Sequence, residues 1–367
     1  MNILFLDFDD IANPLLGAGQ ARATVEVGKR LVQKGHTVTS ICSKYPDYKD
    51  RVENGIKYQH IGIGSTNIRL NNFFYILSVP FALLRAKADI IVECFTAPMS
   101  TLCAPLFTRT PVVGLPTSFD ADRFAKQYHL PVHWLERYCL RFYTYFMPYT
   151  PAYDKKMKKY NPSVISKLIP EGVSPEFFAI KQKTPKYILF LGRIEINQKG
   201  IDLLLKAYAK IAKIAKYPLV IAGKGPDEKK MHELIARYKL ESYVSFVGPA
   251  YGAKKSTLLS EALYVVMPSR NEGFSLFSLE ALASGLPIIG FDIDGFSWTT
   301  NQPVLKAAAF DTDDYAKKML SAMKPTVSST LRSTARKSVK NFTWDAVAYE
   351  FELFFKAIIT KSIRRAA

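Results

Sequence analysis

Short apolar runs alternate with amphipathic, helix-like segments along this chain. In the first half the strand-like runs NILFLDF, HTVTSIC, ADIIVEC and PVVGLP are separated by helical stretches such as QARATVEVGKRLVQKG. Runs that are apolar along their whole length are typical of parallel strands covered by helices on both faces. The alternation therefore predicts an α/β fold built on a parallel sheet.

The same alternation starts again after a loosened junction, IPEGVSPEFF, which holds Pro170, Gly172 and Pro175. KYILFLGR, PLVIAG, VSFVG, ALYVVMPS and PIIGFD are its strand-like runs, and KGIDLLLKAYAKIAKIA and PDEKKMHELIARYKL are predicted helices. A chain of 367 residues is long enough for two domains of ordinary size. We predict two doubly wound, Rossmann-like domains, residues 1–172 and 173–343, facing across a cleft. The tail from Thr343 onward is predicted to be one helix.

The charge balance indicates an anionic partner. Fifty Lys and Arg residues against 32 Asp and Glu give a net charge of +18. Such a chain is attracted to polyanions, which could be nucleic acid, an anionic membrane surface or phosphorylated substrates. Lys and Arg are scattered over both halves and form no basic stripe, so nucleic acid is not the expected partner.

The cysteines and the apolar segments bear on the cellular compartment. The four cysteines, Cys42, Cys94, Cys103 and Cys139, have no metal-ligand or CxxC spacing, so we expect buried free thiols. The N-terminus lacks the basic region of a signal peptide, and the longest apolar run, Phe73–Leu84, is too short to span a bilayer. We expect a cytoplasmic protein, with peripheral attachment to the cytoplasmic face of a membrane left open.

Two carboxylates and a glycine lie together in the stretch RNEGFSLFSLEALASGLPII. Gly273 allows backbone to approach a ligand closely. If a helix starts near Ser275, the backbone N–H groups there, with that of Phe274, are available to an anion or to sugar hydroxyls. Glu272 is placed to accept hydrogen bonds from a ligand, and Glu280 could accept from both hydroxyls of a ribose.

Cations and further glycines follow two other predicted strands. In LGRIEINQKG, Gly192 and Arg193 follow a strand and Lys199 precedes a helix, while AGKGPDE places Gly223 and Gly225 after the next strand. Ligands of open α/β sheets bind at this carboxyl edge. Fixed Arg and Lys side chains would stabilise the negative charge that collects on a diphosphate leaving group.

These motifs together resemble a known family. GRIEINQKG, AGKGPDE, FVG and PSRNEGFSLFSLEALASGLPII, in this order and spacing, closely resemble the C-terminal half of GT-B glycosyltransferases of the retaining family-4 type. The likeness extends to GAGQARATVEVGKRLVQKGHTV in the first half, to IPEGV at the junction and to FTWDAVA before the final helix.

The resemblance implies a retaining glycosyltransferase that moves a hexose from a nucleotide-diphosphate sugar, with UDP or GDP as the nucleotide, to a hydroxyl of a glycan or lipid-linked acceptor. The first domain would bind the acceptor and the second the nucleotide, and the final helix, residues 344–367, would cross back to the first domain. Similar enzymes use no cofactor, metal or protein nucleophile, because the departing phosphate helps to deprotonate the acceptor.

The resemblance also assigns residues. Arg193 and Lys199 would bind the diphosphate and, together with Glu272, act in catalysis, while Glu280 would bind the ribose. The loop containing Gly17 and Gly19 would approach the donor from the first domain. The full set of expected donor-binding residues is Gly17, Gly19, Gly192, Arg193, Lys199, Gly223, Gly225, Glu272, Gly273, Phe274, Ser275 and Glu280. A departure from the family is the segment GLPTSFDADRF, which lacks the histidine that many members carry after this strand.

Alternatives remain open at this stage. A GT-B phosphorylase or a sugar-nucleotide epimerase would use similar motifs, and a basic protein without catalysis could bind nucleic acid or a membrane surface. IRLNNFFYILSVPFALLRAK is either a buried helix pair or a membrane contact on the acceptor side. The aromatic run Trp134–Tyr153 either packs in the core or meets lipid head groups or a lipid-linked acceptor.

Overall fold

The computed structural model describes residues 1–16, 19–96, 100–117, 119–299 and 303–366. It divides into two compact units, one comprising Met1–Gly172 with Trp344–Ala367 and the other Val173–Thr343. These ranges coincide with the two domains and the final helix expected from the sequence.

The strands are β1 (Asn2–Leu6), β2 (Thr37–Ser43), β3 (Arg51–Glu53), β4 (Ile56–Ile61), β5 (Ile90–Phe95), β6 (Val112–Pro116), β7 (Tyr145–Phe146), β8 (Ile165–Ser166), β9 (Tyr187–Leu191), β10 (Leu219–Ala222), β11 (Val244–Phe246), β12 (Ala262–Met267), β13 (Ile288–Phe291) and β14 (Val304–Ala307). The helices are α1 (Gly19–Gln33), α2 (Ile68–Arg85), α3 (Ala121–Tyr128), α4 (Val132–Cys139), α5 (Pro151–Tyr160), α6 (Pro175–Phe178), α7 (Ile196–Lys199), α8 (Ile201–Ala209), α9 (Glu228–Arg237), α10 (Gly252–Glu261), α11 (Leu276–Ala283), α12 (Thr312–Ala322), α13 (Pro325–Ser338) and α14 (Trp344–Ala366).

The first unit is built on an eight-stranded sheet in the order β3-β4-β2-β1-β5-β6-β7-β8. Only the pairing of β3 with β4 is antiparallel among the described strands. β5, with the sequence IIVECF, is buried along its whole length, as expected for a parallel strand covered on both faces. The α/β fold with parallel sheets predicted from the sequence is therefore confirmed.

The final helix α14 packs against α1 within the first unit. Asp345 accepts a hydrogen bond from Arg30 at 2.6 Å, and Glu352 pairs with Lys34 at 2.7 Å. Trp344, at the start of α14, is buried, and a Cβ on Gly172 would lie 2.6 Å from its ring. Only glycine fits at the end of the first chain segment, where the last helix returns.

The segment IRLNNFFYILSVPFALLRAK, for which the sequence allowed a buried helix pair or a membrane contact, forms helix α2. It is a single helix with Pro80 inside it, and the side chain of Asn67 caps its N-terminus by accepting from the N–H of Arg69 at 3.0 Å. A buried helix pair is therefore wrong for this segment, because one face of α2 stays exposed. The aromatic run Trp134–Tyr153 contains both buried and exposed side chains, since Tyr143 is buried and Trp134 is exposed.

The expectation of four free thiols is wrong for two of them. Cys103 and Cys139 form a disulfide, with their Cα atoms 5.2 Å apart. Spacing along the chain could not reveal this pair, because packing brings together residues that lie 36 positions apart. Cys42 and Cys94 are free and buried, and burial raises the pKa of both thiols.

The second unit is built on a parallel six-stranded sheet in the order β11-β10-β9-β12-β13-β14. The predicted helix KGIDLLLKAYAKIAKIA differs from the structure, because it begins after a break at Gly200 and ends at Ala209. Gly200 has φ of +65°, and a Cβ there would lie 2.1 Å from the carbonyl oxygen of Pro268. The break therefore depends on a contact with a distant loop. No helix in the described part of the chain has the length and apolarity needed to cross a bilayer.

A buried acid in the first unit gives a test of this core by pH. Burial raises the pKa of Asp7 to about 7, although the hydroxyl of Thr24 donates to its carboxylate at 2.5 Å. Below the ordinary Asp pKa both the folded and the unfolded chain hold the proton. As the pH rises from there to about 7, only the folded chain keeps it, so this residue's contribution to stability falls.

Asp7→Asn should therefore unfold with a higher free energy than the parent at pH 8, by roughly a few kcal/mol, and the difference should shrink toward pH 4. Denaturant titrations at several pH values measure this. The control is Asp47→Asn, at an exposed position with φ of +60° that asparagine also tolerates. An Asp7→Asn advantage that stays constant with pH would contradict the assignment.

Candidate functional site

The loops that hold the predicted site follow three neighbouring strands of the second unit. β9 lies between β10 and β12 in the sheet, so the chain turns in opposite directions on the two sides of β9. The carboxyl edge at such a reversal of strand order is where open α/β sheets bind ligands. The segments after Leu191, Ala222 and Met267 all emerge there.

Lys199 and Glu272 are in direct contact at this edge. The ammonium of Lys199 lies 2.6 Å from Oε1 of Glu272, and the hydroxyl of Ser269 donates to the same oxygen at 2.7 Å. Glu272 is buried, and a Cβ on Gly295 would lie 2.5 Å from its Cβ, so its backbone is held closely from the other side. This ion pair thus joins the loops after β9 and β12.

Arg270 holds the two loops in register. Its guanidinium binds both carboxylate oxygens of Asp202 at 2.7 Å and donates to the carbonyl of Ile196 at 2.6 Å. These hydrogen bonds raise the pKa of Arg270, because Asp202 stabilises the charged form. The backbone N–H of Arg270 also donates to the carbonyl of Gln198 at 2.8 Å. Lys199, next to Gln198, is fixed relative to Glu272 by this network.

Arg193 is more exposed than Lys199. Its side chain is 61 % exposed, and its Nε lies 3.5 Å from Glu195. Glu195 precedes the short helix α7, whose first N–H donates to Asp227 at 2.9 Å, and that backbone hydrogen bond lowers the pKa of Asp227. Arg193 therefore extends from a well-anchored loop with most of its side chain exposed.

Backbone packing requires glycine at two of the predicted positions, Gly223 and Gly225. A Cβ on Gly223 would lie 1.8 Å from the carbonyl oxygen of Gly192, and one on Gly225 would lie 2.1 Å from that of Ile194. The loops after β9 and β10 are thus in backbone contact. Gly19 is the first residue of α1 in the other unit, and Gly17 lies outside the described residues.

Helix α11 carries the second predicted acid. It begins at Leu276, where the sequence predicts a helix start, with Ser275 in the N-cap position and making no side-chain cap hydrogen bond. Phe274 stacks on Trp298 with ring centroids 5.1 Å apart, and Gly273 lies between Phe274 and Glu272. The N-terminus of α11 therefore keeps first-turn N–H groups that intrahelical bonding cannot satisfy.

Glu280 has a partner that sequence reasoning missed. Its Oε2 lies 2.5 Å from the ammonium of Lys255, which comes from α10. That ammonium also lies 5.0 Å from the ring of Phe177 and 5.7 Å from that of Phe277. No sequence motif identifies Lys255, because it lies beside Lys254 on a polar helix and contacts Glu280 only in the folded protein.

The second unit therefore offers a buried carboxylate and an ammonium in contact, an accessible guanidinium and a helix N-terminus, all at one sheet edge. Cations and backbone N–H groups bind phosphate, and carboxylates bind the hydroxyls of sugars. This set of groups matches a ligand that has both phosphate and sugar parts.

Family models match most of the chain. Residues 175–339 match the model described as Glycosyl transferases group 1, and residues 17–177 match that of Glycosyltransferase Family 4. The two-sheet architecture and these matches define a glycosyltransferase of GT-B fold. The chain belongs to the family-4 type of these glycosyltransferases, as its motifs indicate.

Curated relatives match over part of their length. The D-inositol 3-phosphate glycosyltransferase of Jonesia denitrificans is 34% identical over 177 residues, which are 44% of this chain and 40% of that protein. The chain spans less than half the length of these curated relatives.

Solved structures match over nearly the whole chain. The sucrose-phosphate synthase of Thermosynechococcus elongatus superposes with a TM-score of 0.82 at 17% identity, covering 98% of this chain and 100% of that one. HepE of Anabaena, crystallised with UDP-glucose, gives 0.73 at 15% identity, covering 97% and 100%. At these identities the likeness concerns the fold alone.

The contact of Gly200 with Pro268 gives a test of how the loops are held. Gly200→Ala should lower the melting temperature, because the new Cβ meets the carbonyl oxygen of Pro268, where the loop that carries Lys199 packs against the loop that carries Glu272. Gly248→Ala is a matched control, since Gly248 has φ of +69° with no atom within 4 Å of the added Cβ.

The control should cost about 1 kcal/mol of strain, and Gly200→Ala should cost clearly more. Thermal unfolding measures the loss of stability in both variants. Equal losses of stability in the two variants would show that the Pro268 contact does not matter.

Proposed function

We propose that this protein is a retaining hexosyltransferase that uses a nucleotide-diphosphate sugar as donor and a hydroxyl group as acceptor. The second unit binds the donor and the first binds the acceptor. The proposal is supported above all by the contact between Lys199 and Glu272 at the reversal point of the sheet.

The ion pair suits a donor that carries both phosphate and sugar. When the diphosphate arrives, the ammonium of Lys199 binds a phosphate oxygen, and Glu272 accepts hydrogen bonds from hydroxyls of the hexose. Ser269 keeps its hydrogen bond to Glu272 and so holds the orientation of the carboxylate. Arg193, most of whose side chain is exposed, reaches the diphosphate from the loop after β9.

The proposed chemical step uses these groups. The bond between the anomeric carbon and the diphosphate oxygen breaks, and the acceptor oxygen forms its bond on the same face of the sugar. The acceptor proton passes to an oxygen of the departing phosphate, so no protein nucleophile or metal is required. Lys199 and Arg193 stabilise the charge that the leaving group gains, which lowers the barrier.

Glu280 and Lys255 act on the nucleoside. Glu280 accepts hydrogen bonds from the two ribose hydroxyls, and Lys255 orients its carboxylate through their direct contact. UDP is the first nucleotide to test, since a neighbour in fold was crystallised with UDP-glucose. The acceptor is a glycan or a lipid-linked sugar. With a lipid-linked acceptor, the enzyme works at the cytoplasmic face of a membrane.

Loss of the site residues tests the proposal. Lys199→Ala and Glu280→Ala should each lower transfer from the cognate donor by at least roughly tenfold, because a charge-assisted contact contributes about 1.5–3 kcal/mol. Thermal unfolding of the protein with UDP, GDP or ADP, and with the corresponding nucleotide sugars, first identifies that donor. The cognate nucleotide raises the melting temperature.

Lys206→Ala, which alters an exposed lysine of α8, is the control and should retain full activity. Product analysis by NMR gives the anomeric configuration and separates transfer from phosphorolysis and isomerisation. Full activity in both site variants, or an inverted product, would refute the proposal.

Lys255 gives a sharper test of the ribose contact. Lys255→Ala should raise the donor KM about five- to tenfold while kcat stays within about twofold, since the lost contact acts on binding and not on bond cleavage. Lys255→Arg should restore most of the affinity because the positive charge returns. Steady-state kinetics with saturating acceptor measure both constants. A fall in kcat at unchanged KM would contradict this role.

A further inference from the structure

Helix α2 exposes a large apolar stripe. Its buried residues, Asn71, Tyr75, Val79 and Leu83, recur every four positions and form one face. The other side carries the exposed side chains of Leu70, Phe73, Phe74, Leu77, Phe81 and Leu84. Phe81 is 65% and Leu84 73% exposed, whereas a surface helix ordinarily turns polar residues outward. An exposed apolar stripe of this size marks an interaction site.

A second set of exposed apolar residues lies on α4 and on the turns around it. Trp134 is 67% and Tyr138 55% exposed. Leu135 and Phe142 are exposed nearby, and the turn at residues 104–107 exposes Leu106 and Phe107. Spacings of four residues between Trp134, Tyr138 and Phe142 place these rings on one side of the chain.

These two sets belong to one side of the first unit. The buried apolar residues of α2 belong to the same core cluster as Ala104 of the turn and Leu140 after α4. α2 packs directly against the turn at 104–106, and the disulfide from Cys103 to Cys139 ties that turn to the end of α4. Their outward residues therefore form one surface, called the apolar face below: the exposed side chains of α2, of residues 104–107 and of residues 132–142.

The exposed charges within the three segments of the apolar face have one sign. From Asn54 to Ala88 the chain contains no Asp or Glu, and the only acid in the three segments of the face is Glu136. Glu136 is buried and lies 3.1 Å from the ammonium of Lys156. Exposed cations are present instead, among them Arg69, Arg85 and Arg141. The partner of this face must therefore be both apolar and anionic.

We propose that the apolar face docks the first unit onto an anionic lipid bilayer. Its aliphatic and aromatic side chains enter the boundary of the acyl chains, while the arginines reach the phosphates of the head groups. A second copy of this chain is a poor partner, because it would bring the same cations against each other. All but three of the exposed large apolar side chains in the described residues belong to the first unit, so the bilayer binds that unit.

Flotation of the full chain with phospholipid vesicles tests this proposal. We expect binding to phosphatidylcholine vesicles containing about 30 mol% phosphatidylglycerol and much weaker binding to phosphatidylcholine alone. The double variant Leu77→Ser, Phe81→Ser should bind anionic vesicles at least roughly tenfold more weakly, since two apolar anchors are lost. The matched control is Ile214→Ser, Tyr251→Ser, which removes two apolar residues of the second unit that are more exposed than Leu77 and Phe81, and it should bind as the parent does.

The readouts separate this proposal from the function proposed above. Vesicle binding requires no donor, and thermal stabilisation by nucleotide should be the same in the Leu77→Ser, Phe81→Ser variant as in the parent, which also shows that the variant is folded. The proposal is overturned if the parent stays in solution with anionic vesicles or if the double variant floats as well as the parent. It is also overturned if sedimentation shows a dimer that the double variant dissociates and no lipid binding occurs.

Discussion

One cation–carboxylate contact, between Lys199 and Glu272, organises the second unit's ligand edge. It connects the loops that leave two adjacent parallel strands, β9 and β12. Both partners are largely removed from water, so each would be costly to leave unpaired. Ser269 and Arg270 hold the two sides in place, and the glycines at positions 200 and 295 allow the backbones to come close enough.

The arrangement also explains why an acid can lie in a site proposed for an anionic ligand. Glu272 alone would repel a diphosphate, but its charge is matched by that of Lys199 at 2.6 Å. Lys255 does the same for Glu280. In each case an acid that we propose to bind sugar hydroxyls is paired with an ammonium before the ligand arrives, so the acids would not prevent phosphate from approaching.

Much of this could be predicted from the sequence, because local patterns determine it. Mainly apolar runs such as ADIIVEC and KYILFLGR predict buried parallel strands, and they contain most of β5 and all of β9. The strand β4 is not among the predicted strands, because the polar residues Lys57, Gln59 and His60 interrupt the apolar residues of its sequence IKYQHI. The break at Gly200, the Cys103–Cys139 disulfide and the pair of Lys255 with Glu280 each depend on residues far apart in the chain. No local pattern contains such contacts.

The return of α14 to the first unit has a consequence for synthesis of the chain. The segment that completes the first unit's packing around Trp344 follows 171 residues that form a different compact body. A ribosome therefore releases the entire second unit before it delivers the helix that pairs with Arg30 and Lys34. Until then the surface of α1 that this helix covers stays uncovered, so the first unit to be translated is the last to reach its finished form.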